Sequence, residues 1–265
     1  MNTTHNGATQ VPAVFNGEEI QARNHNPNTS LDQAQQAIHA VGLSHAYNAR
    51  PSLRGMNLTL KAGQLVGLMG ENGCGKTTLL KILAGLISEY TGEVRLFGNR
   101  PGLSTKPYVS FLPDTSFLAD NLRATSAIAY FDDFFEDFDA EKAKDMLGFF
   151  GLDPAMRLKE MSKGMREKLQ ISLTMSRAAR VYLLDEPISG IDPAARQATL
   201  DAVLGNYSEG AMVVLSTHLV HDLEPIVDHA VFMRAGQILL QGDTDDLRAE
   251  HQASLNQIFL KEYSC

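Results

Sequence analysis

Cysteine is nearly missing from this chain: Cys74 and Cys265 are the two present in 265 residues. One sits in a glycine-rich stretch and the other at the terminus, so no disulfide framework is implied and a reducing compartment is expected. Long apolar runs are missing as well. No stretch approaches the roughly 18 to 20 apolar residues that span a bilayer, and the first residues hold no hydrophobic signal core. Work at a membrane would need another chain to provide the span. Cations are in deficit, with 23 Lys and Arg against 31 Asp and Glu and a net charge of −8. That balance offers no general polyanion surface and sets nucleic acid aside as a partner. With 44% hydrophobic residues the chain can still bury a large core, enough for one large or two small domains.

What is present is concentrated between Leu65 and Leu80, LVGLMGENGCGKTTLL. The apolar run Leu65 to Met69 suits a buried strand, and apolar helix formers resume after Thr78. Between them, GENGCGKT has the phosphate-binding pattern. Gly70, Gly73 and Gly75 allow backbone angles that turn successive N–H groups toward an anion. A helix opening near Lys76 adds its positive end, the Lys76 ammonium reaches the outer phosphates, and the Thr77 hydroxyl can ligate magnesium. A glycine-rich turn with no ligand is the competing reading, disfavoured by the strand–loop–helix context.

Residues from Met1 to about Ser30 are rich in Asn, Thr, Gln and Gly and read as a mobile leader, with a weak helix expected over Leu31 to Ala40. Order is expected from Ile38. Met56, Leu58 and Leu60 alternate with polar residues as a half-buried strand, and Tyr47 falls in the loop before it, where its ring could pack or stack on a purine. Further strands are predicted at Val94 to Phe97 and Tyr108 to Leu112, the latter stopped by Pro113 and followed by Asp114. Asp120 to Phe150 reads as a helical insert whose clustered acids form a solvated face rather than a metal site.

Ser162 is a predicted N-cap for a helix running to about Ala178, and Gly164 permits close backbone approach. Val181 to Leu184 is a continuous apolar run ending in Asp185-Glu186, where two acids are costly unless they serve chemistry or find partners. In a phosphate-loop protein the first can hold the magnesium shell and the second polarise a water. Met212 to Ser216 is another buried strand, which places His218 at the sheet edge where ligands collect. Val231 to Met233 and Gln237 to Gln241 look like a strand pair turned at Ala235-Gly236.

The order of these elements resembles the nucleotide-binding domain of ATP-binding-cassette (ABC) transporters over roughly Ile38 to Asp246. GENGCGKTT looks like its Walker A, Val181 to Glu186 its Walker B with the catalytic glutamate, Ser189 to Asp192 its D-loop, and His218 its switch histidine. Tyr47 matches its adenine-stacking aromatic. The signature LSGGQ stands here as Met161-Ser162-Lys163-Gly164-Met165, and Asp114 stands where the family usually has the Q-loop glutamine. In these departures, and in the phrase YFDDFFEDFDAEKAKDML, the chain resembles the ATPase subunits of two-component bacterial exporters whose permease is a separate chain.

The resemblance implies an α/β P-loop NTPase cassette with a parallel-stranded core sheet, an antiparallel edge subdomain and an inserted helical subdomain. Its expected divisions are a leader over 1–37, an ATP-binding domain over 38–246 with the helical subdomain at about 115–178, and a short helical tail over 247–265. ATP would be held by Tyr47, by Glu71, Asn72, Gly73, Cys74, Gly75, Lys76, Thr77 and Thr78, and by Ser162, Gly164 and Met165 of a second copy in a head-to-tail dimer. Mg2+ would be held by Thr77, Asp114 and Asp185, with Glu186 and His218 catalytic. The implied work is ATP hydrolysis coupled to a membrane permease, with export as the implied direction, at the cytoplasmic face of the membrane. A soluble relative acting on ribosomes or DNA would carry two cassettes or a long coiled-coil arm, for which the interval from Thr115 to Met161 is too short. A nucleotide-gated regulator is left open by Asp114 and the altered signature, while the intact Asp185-Glu186 pair argues against it. Lys76→Ala should abolish productive ATP binding, because the loop keeps its shape but loses its mobile charge. Unchanged ATPase activity in that variant would remove the phosphate-loop reading.

Overall fold

The computed structural model describes residues 36–263, so most of the expected leader and Cys265 lie outside the described residues. A six-stranded sheet has the order β5-β6-β7-β3-β8-β9, built from β3 (Leu65–Met69), β5 (Val109–Leu112), β6 (Val181–Asp185), β7 (Met212–Thr217), β8 (His229–Arg234) and β9 (Gln237–Asp243). Its first five strands run parallel. β3, β6 and β7 are buried at every residue, as continuous apolar runs covered on both faces must be. β9 returns antiparallel on β8 through Ala235-Gly236, both at positive φ, which is the expected strand pair.

One face of this sheet is covered by α1 (Lys76–Leu83) and by a second, antiparallel sheet of order β2-β1-β4, formed by β1 (Gln36–Tyr47), β2 (Arg50–Lys61) and β4 (Thr91–Leu96). Val66, Leu68, Leu183 and Val214 point to this side, whereas Leu65, Met69, Leu184 and Leu215 point to the other. There they meet α4 (Lys163–Met175), α5 (Pro193–Leu204) and α8 (Leu255–Tyr263). The alternation within each strand is the period-2 rule expressed on a sheet with two cores. A third core unites α2 (Ala124–Phe134), α3 (Ala140–Phe149) and the outer half of α4 through Ala127, Ile128, Leu147, Leu158, Leu169 and Leu173. Two further helices among the described residues are α6 (Val220–Leu223) and α7 (Thr244–His251).

The weak helix expected over Leu31 to Ala40 is not what the described part of that segment forms. Gln36 to Ala40 begin β1, which pairs with β2 on one side and β4 on the other. Two flanking strands satisfy its backbone, and that tertiary gain overrides a thin helical pattern. Tyr47 is consequently the last residue of a strand and not a loop residue. The helix from Ser162 stops at Met175, ahead of Ala178, and α7 begins at Thr244, ahead of the tail boundary expected at 247.

Past Met175 the backbone leaves the helix to bridge Phe138 with Arg177. The Asp139 amide donates to the Ser176 carbonyl at 2.8 Å and the Ala178 amide to the Asp137 carbonyl at 2.9 Å, and Arg177 anchors this turn. Its guanidinium is 6% exposed, pairs with Asp137 at 2.9 Å, and donates to the carbonyls of Val109 and Pro107, each at 3.0 Å. It also lies over the Phe135 ring, 4.1 Å from its centroid. Asp132, Asp133, Glu136 and Glu141 are exposed, as a solvated acidic face requires, but Asp137 is turned inward to meet Arg177. One side chain thus ties the helical region to the edge strand β5. Arg177→Ala would strand a carboxylate and two carbonyls, and should lower unfolding stability by about 2–4 kcal/mol, read as a shift in urea midpoint. A midpoint equal to that of the unsubstituted chain would remove this linkage.

Candidate functional site

The C-terminal ends of β5, β6, β7 and β3 are neighbours in the sheet, so the residues that follow them converge on one edge. β3 delivers the glycine loop, β6 delivers Asp185 and Glu186, β7 delivers His218, and β5 delivers Asp114. Register fixes the alignment, with Asp185 opposite Ser216 and Met69 opposite Thr217.

Within the loop, Gly75 has φ +111 and caps α1, and a Cβ there would stand 2.6 Å from the Ser52 carbonyl. Only glycine meets both demands at once. α1 opens at Lys76, whose side chain folds back over the loop. Its Nζ donates to the carbonyls of Gly70 at 2.7 Å and Glu71 at 3.2 Å, and lies 3.4 Å from Glu186 Oε1 with Lys76 only 5% exposed. The other Glu186 oxygen is 3.0 Å from His218 Nδ1. Lysine, glutamate and histidine from three strand ends therefore form one chain of charge and hydrogen bonding. Glu186 reaches this position with φ +51, a left-handed backbone uncommon for a residue with a side chain.

Ser216, which sequence reasoning passed over, holds that backbone in place. Its hydroxyl donates to Asp185 Oδ1 at 2.5 Å and accepts from the Glu186 amide at 3.0 Å. The Glu186 amide also donates to the Ser216 carbonyl at 3.2 Å. The signal available in the sequence was a serine closing an otherwise apolar run, MVVLST. Burial raises the pKa of the Asp185 carboxyl, opposed by the hydroxyls of Ser216 and Thr77 and reinforced by the negative charges of Asp114 and Glu186. Asp185 Oδ2 is buried with no hydrogen-bond partner.

A magnesium ion fits these residues: an orphaned buried carboxylate oxygen with a threonine hydroxyl beside it is a hard-oxygen donor set for a cation that takes its remaining ligands from water and phosphate. Among the described residues no group of three His, Cys, Asp or Glu forms a self-sufficient metal cluster. Asp114 is exposed at the rim and shares with Asp185, Glu186, Glu167 and Gln170 the lining of a cavity of about 10 Å³.

The remaining expected contacts lie apart from this chain of groups. Tyr47 is 48% exposed at the end of β1, its ring edge-on to His45 with centroids 4.6 Å apart. Ser162 caps α4, its Oγ accepting from the Met165 amide at 3.2 Å. A Cβ on Gly164 would lie 3.5 Å from the Gly190 carbonyl. Glu71, Asn72 and Gly73 are exposed on the loop, whereas Cys74 and Thr78 are buried beneath it.

A parallel sheet with a glycine loop at its central strand and acids on its neighbour defines a P-loop nucleotide-binding cassette. The family model for ABC transporters matches residues 53–189. An uncharacterized ABC transporter ATP-binding protein of Synechocystis is 31% identical over 72% of this chain, and the chain spans 56% of that relative's length. A counterpart from Rhizobium meliloti is 30% identical over 78% of this chain and 81% of its own. A solved structure of the ATP-binding subunit of an ABC transporter superposes with a TM-score of 0.75, at 26% identity, covering 85% of this chain and 98% of that one. The chain belongs to the ABC transporter family.

Ser216→Ala would free Asp185 Oδ1 and the strained Glu186 amide while leaving the reacting side chains in place. ATP turnover should fall about 10–100-fold, the range for losing hydrogen bonds to a charged group, with little change in melting temperature. Phosphate release within twofold of the unsubstituted chain would reduce Ser216 to packing.

Proposed function

We propose that this chain hydrolyses ATP to energise a separate membrane permease, working at the cytoplasmic face of the membrane in a two-component exporter. The observation that carries the reading is the Lys76–Glu186–His218 arrangement, which sets a cation, a carboxylate and an imidazole at the mouth of a phosphate-type loop. When nucleotide enters, the Lys76 ammonium turns from the Gly70 and Glu71 carbonyls toward the outer phosphates, exchanging two neutral acceptors for charged ones. The amides of the loop from Glu71 to Thr78 surround the phosphates, and the Tyr47 ring offers its exposed face to adenine.

Thr77 and Asp185 would hold Mg2+, with Asp114 at the outer edge, and the ion would supply neutralisation of phosphate charge. Glu186, released by Lys76, orients the attacking water and accepts its proton, while His218 fixes the carboxylate from the other side. Ser162 opens its helix with its Oγ accepting from the Met165 amide at 3.2 Å, and Gly164 leaves the backbone of that first turn open to close approach. In the head-to-tail dimer that the family resemblance implies, Ser162, Gly164 and Met165 cap the nucleotide of the second copy.

One feature of the surface supports the membrane partner. An apolar groove of about 320 Å³ between the core and the helical region, lined by Leu86, Phe111, Phe117, Phe131 and Phe135, suits an apolar segment of a permease. Glu186→Gln keeps the shape of the side chain and removes the acceptor. It should retain ATP, lose about 10²–10⁴ in turnover, and accumulate an ATP-bound dimer visible by gel filtration. Turnover at the unsubstituted rate would assign catalysis elsewhere and overturn the reading.

A further inference from the structure

The phosphate loop has an outer wall made by parts of the chain far from it in sequence. On the inner side the Gly70 amide donates to the Thr217 carbonyl at 3.2 Å. On the outer side a Cβ on Gly70 would stand 2.5 Å from the Met233 carbonyl, 2.6 Å from Cys74 Sγ and 3.3 Å from the Tyr263 hydroxyl. The loop is therefore in close contact with the end of β8 and with the last turn of α8. The hairpin grips it a second time, since the Gly236 amide donates to the Cys74 carbonyl at 2.9 Å.

Tyr263 connects this wall to the C-terminal helix. Its hydroxyl donates to the Met233 carbonyl. Its ring stacks on Phe259, with centroids 4.2 Å apart and planes 31° from parallel, and Phe259 in turn meets Phe232 of β8 at 6.2 Å. Arg234 Nη1 donates to the Glu262 carbonyl at 3.1 Å, so the same turn of helix is fastened from the strand side. Burial raises the phenol pKa, with Cys74 and Glu71 near enough to push it further, as a hydroxyl seated against the loop requires.

We propose that Tyr263 is a positioning residue for the phosphate loop, acting through the Met233 carbonyl and the β8–β9 hairpin to hold the loop in its phosphate-binding shape. The inference rests on the reading that this loop binds ATP. Phosphate recognition by backbone amides is strong only when the amides are already aimed, because a loose loop must be ordered at the moment of binding. The Met233 carbonyl packs directly against Gly70, so a hydrogen bond that fixes its direction also limits where the Gly70 peptide can turn. The Gly70 carbonyl is one of the two acceptors from which Lys76 must part. A loosened wall thus reaches the loop and its lysine without touching the groups that act on water.

Tyr263→Phe keeps the ring and its stacking on Phe259 and removes the single hydroxyl. It should raise the KM for magnesium-ATP about 3–10-fold, the span expected for one neutral hydrogen bond, and leave kcat within about twofold. Lys261→Ala, on an exposed position of the same helix, should change neither constant. Direct titration with magnesium-ATP should show the same weakening in Tyr263→Phe while its melting temperature without nucleotide stays near that of the unsubstituted chain. An unchanged KM and unchanged ATP affinity in Tyr263→Phe would overturn the proposal, as would a loss of melting temperature with no change in either. An unsubstituted chain that fails to bind ATP would instead overturn the functional reading beneath it.

Discussion

Lys76 is 5% exposed and faces the Glu186 carboxylate across 3.4 Å, and the geometry of the sheet edge follows from the need to make that burial tolerable. Two charges taken out of water cost several kcal/mol each unless other polar groups complete their surroundings. For the ammonium those groups are the Gly70 and Glu71 carbonyls, available because the glycine loop exposes its backbone. For the carboxylate the group is His218, placed by the end of β7. Glu186 stands between them with its backbone at φ +51. That conformation is held by Ser216, whose position opposite Asp185 is a matter of parallel register. A one-residue slip between β6 and β7 would turn these side chains to opposite faces and separate the charges.

The same arrangement explains how nucleotide can compete. An ammonium on two neutral carbonyls is satisfied yet replaceable, since phosphate oxygens offer it charged acceptors. In the proposed mechanism the departure of Lys76 also frees one oxygen of Glu186. Binding and activation are then linked through a single broken ion pair, and no movement of the sheet is needed.

Much of this was legible in the sequence where one short stretch carries its own reason. The glycine loop, the apolar runs ending in Asp185-Glu186 and in Thr217-His218, and the Ala235-Gly236 hairpin each announce themselves through local composition. β1 did not, because its polar residues are tolerated by pairing on both sides, and such pairing has no local trace. Ser216 was hidden as one small polar residue in an apolar strand, and its importance comes from a residue 31 positions earlier. Arg177 with Asp137 and Tyr263 with Met233 are hidden for the same reason, each a long-range contact whose partners look ordinary alone. Ser162 was legible as an N-cap, and the structure shows that cap; its proposed second role across a dimer belongs to a surface that one chain does not contain.

Charge gives the departure at position 114 its physical meaning. Asp114, Glu167, Asp185 and Glu186 line one small cavity, and Asp114 and Glu186 both act to raise the pKa of Asp185. Lys76 offsets part of that crowding while it remains folded over the loop. Once it turns to the phosphates, the acids face one another and the incoming nucleotide with less compensation, and repulsion between like charges at a few ångströms is substantial in a partly desolvated site. A glutamine at position 114 would add no charge to this sum. In the proposed mechanism an aspartate there makes the sharing of this edge by phosphate and acids depend more on a divalent cation arriving with the nucleotide, whether or not the Asp114 carboxylate is itself a ligand. Under that proposal Asp114 makes occupancy of the magnesium site a stricter condition for nucleotide binding, and it acts through electrostatics.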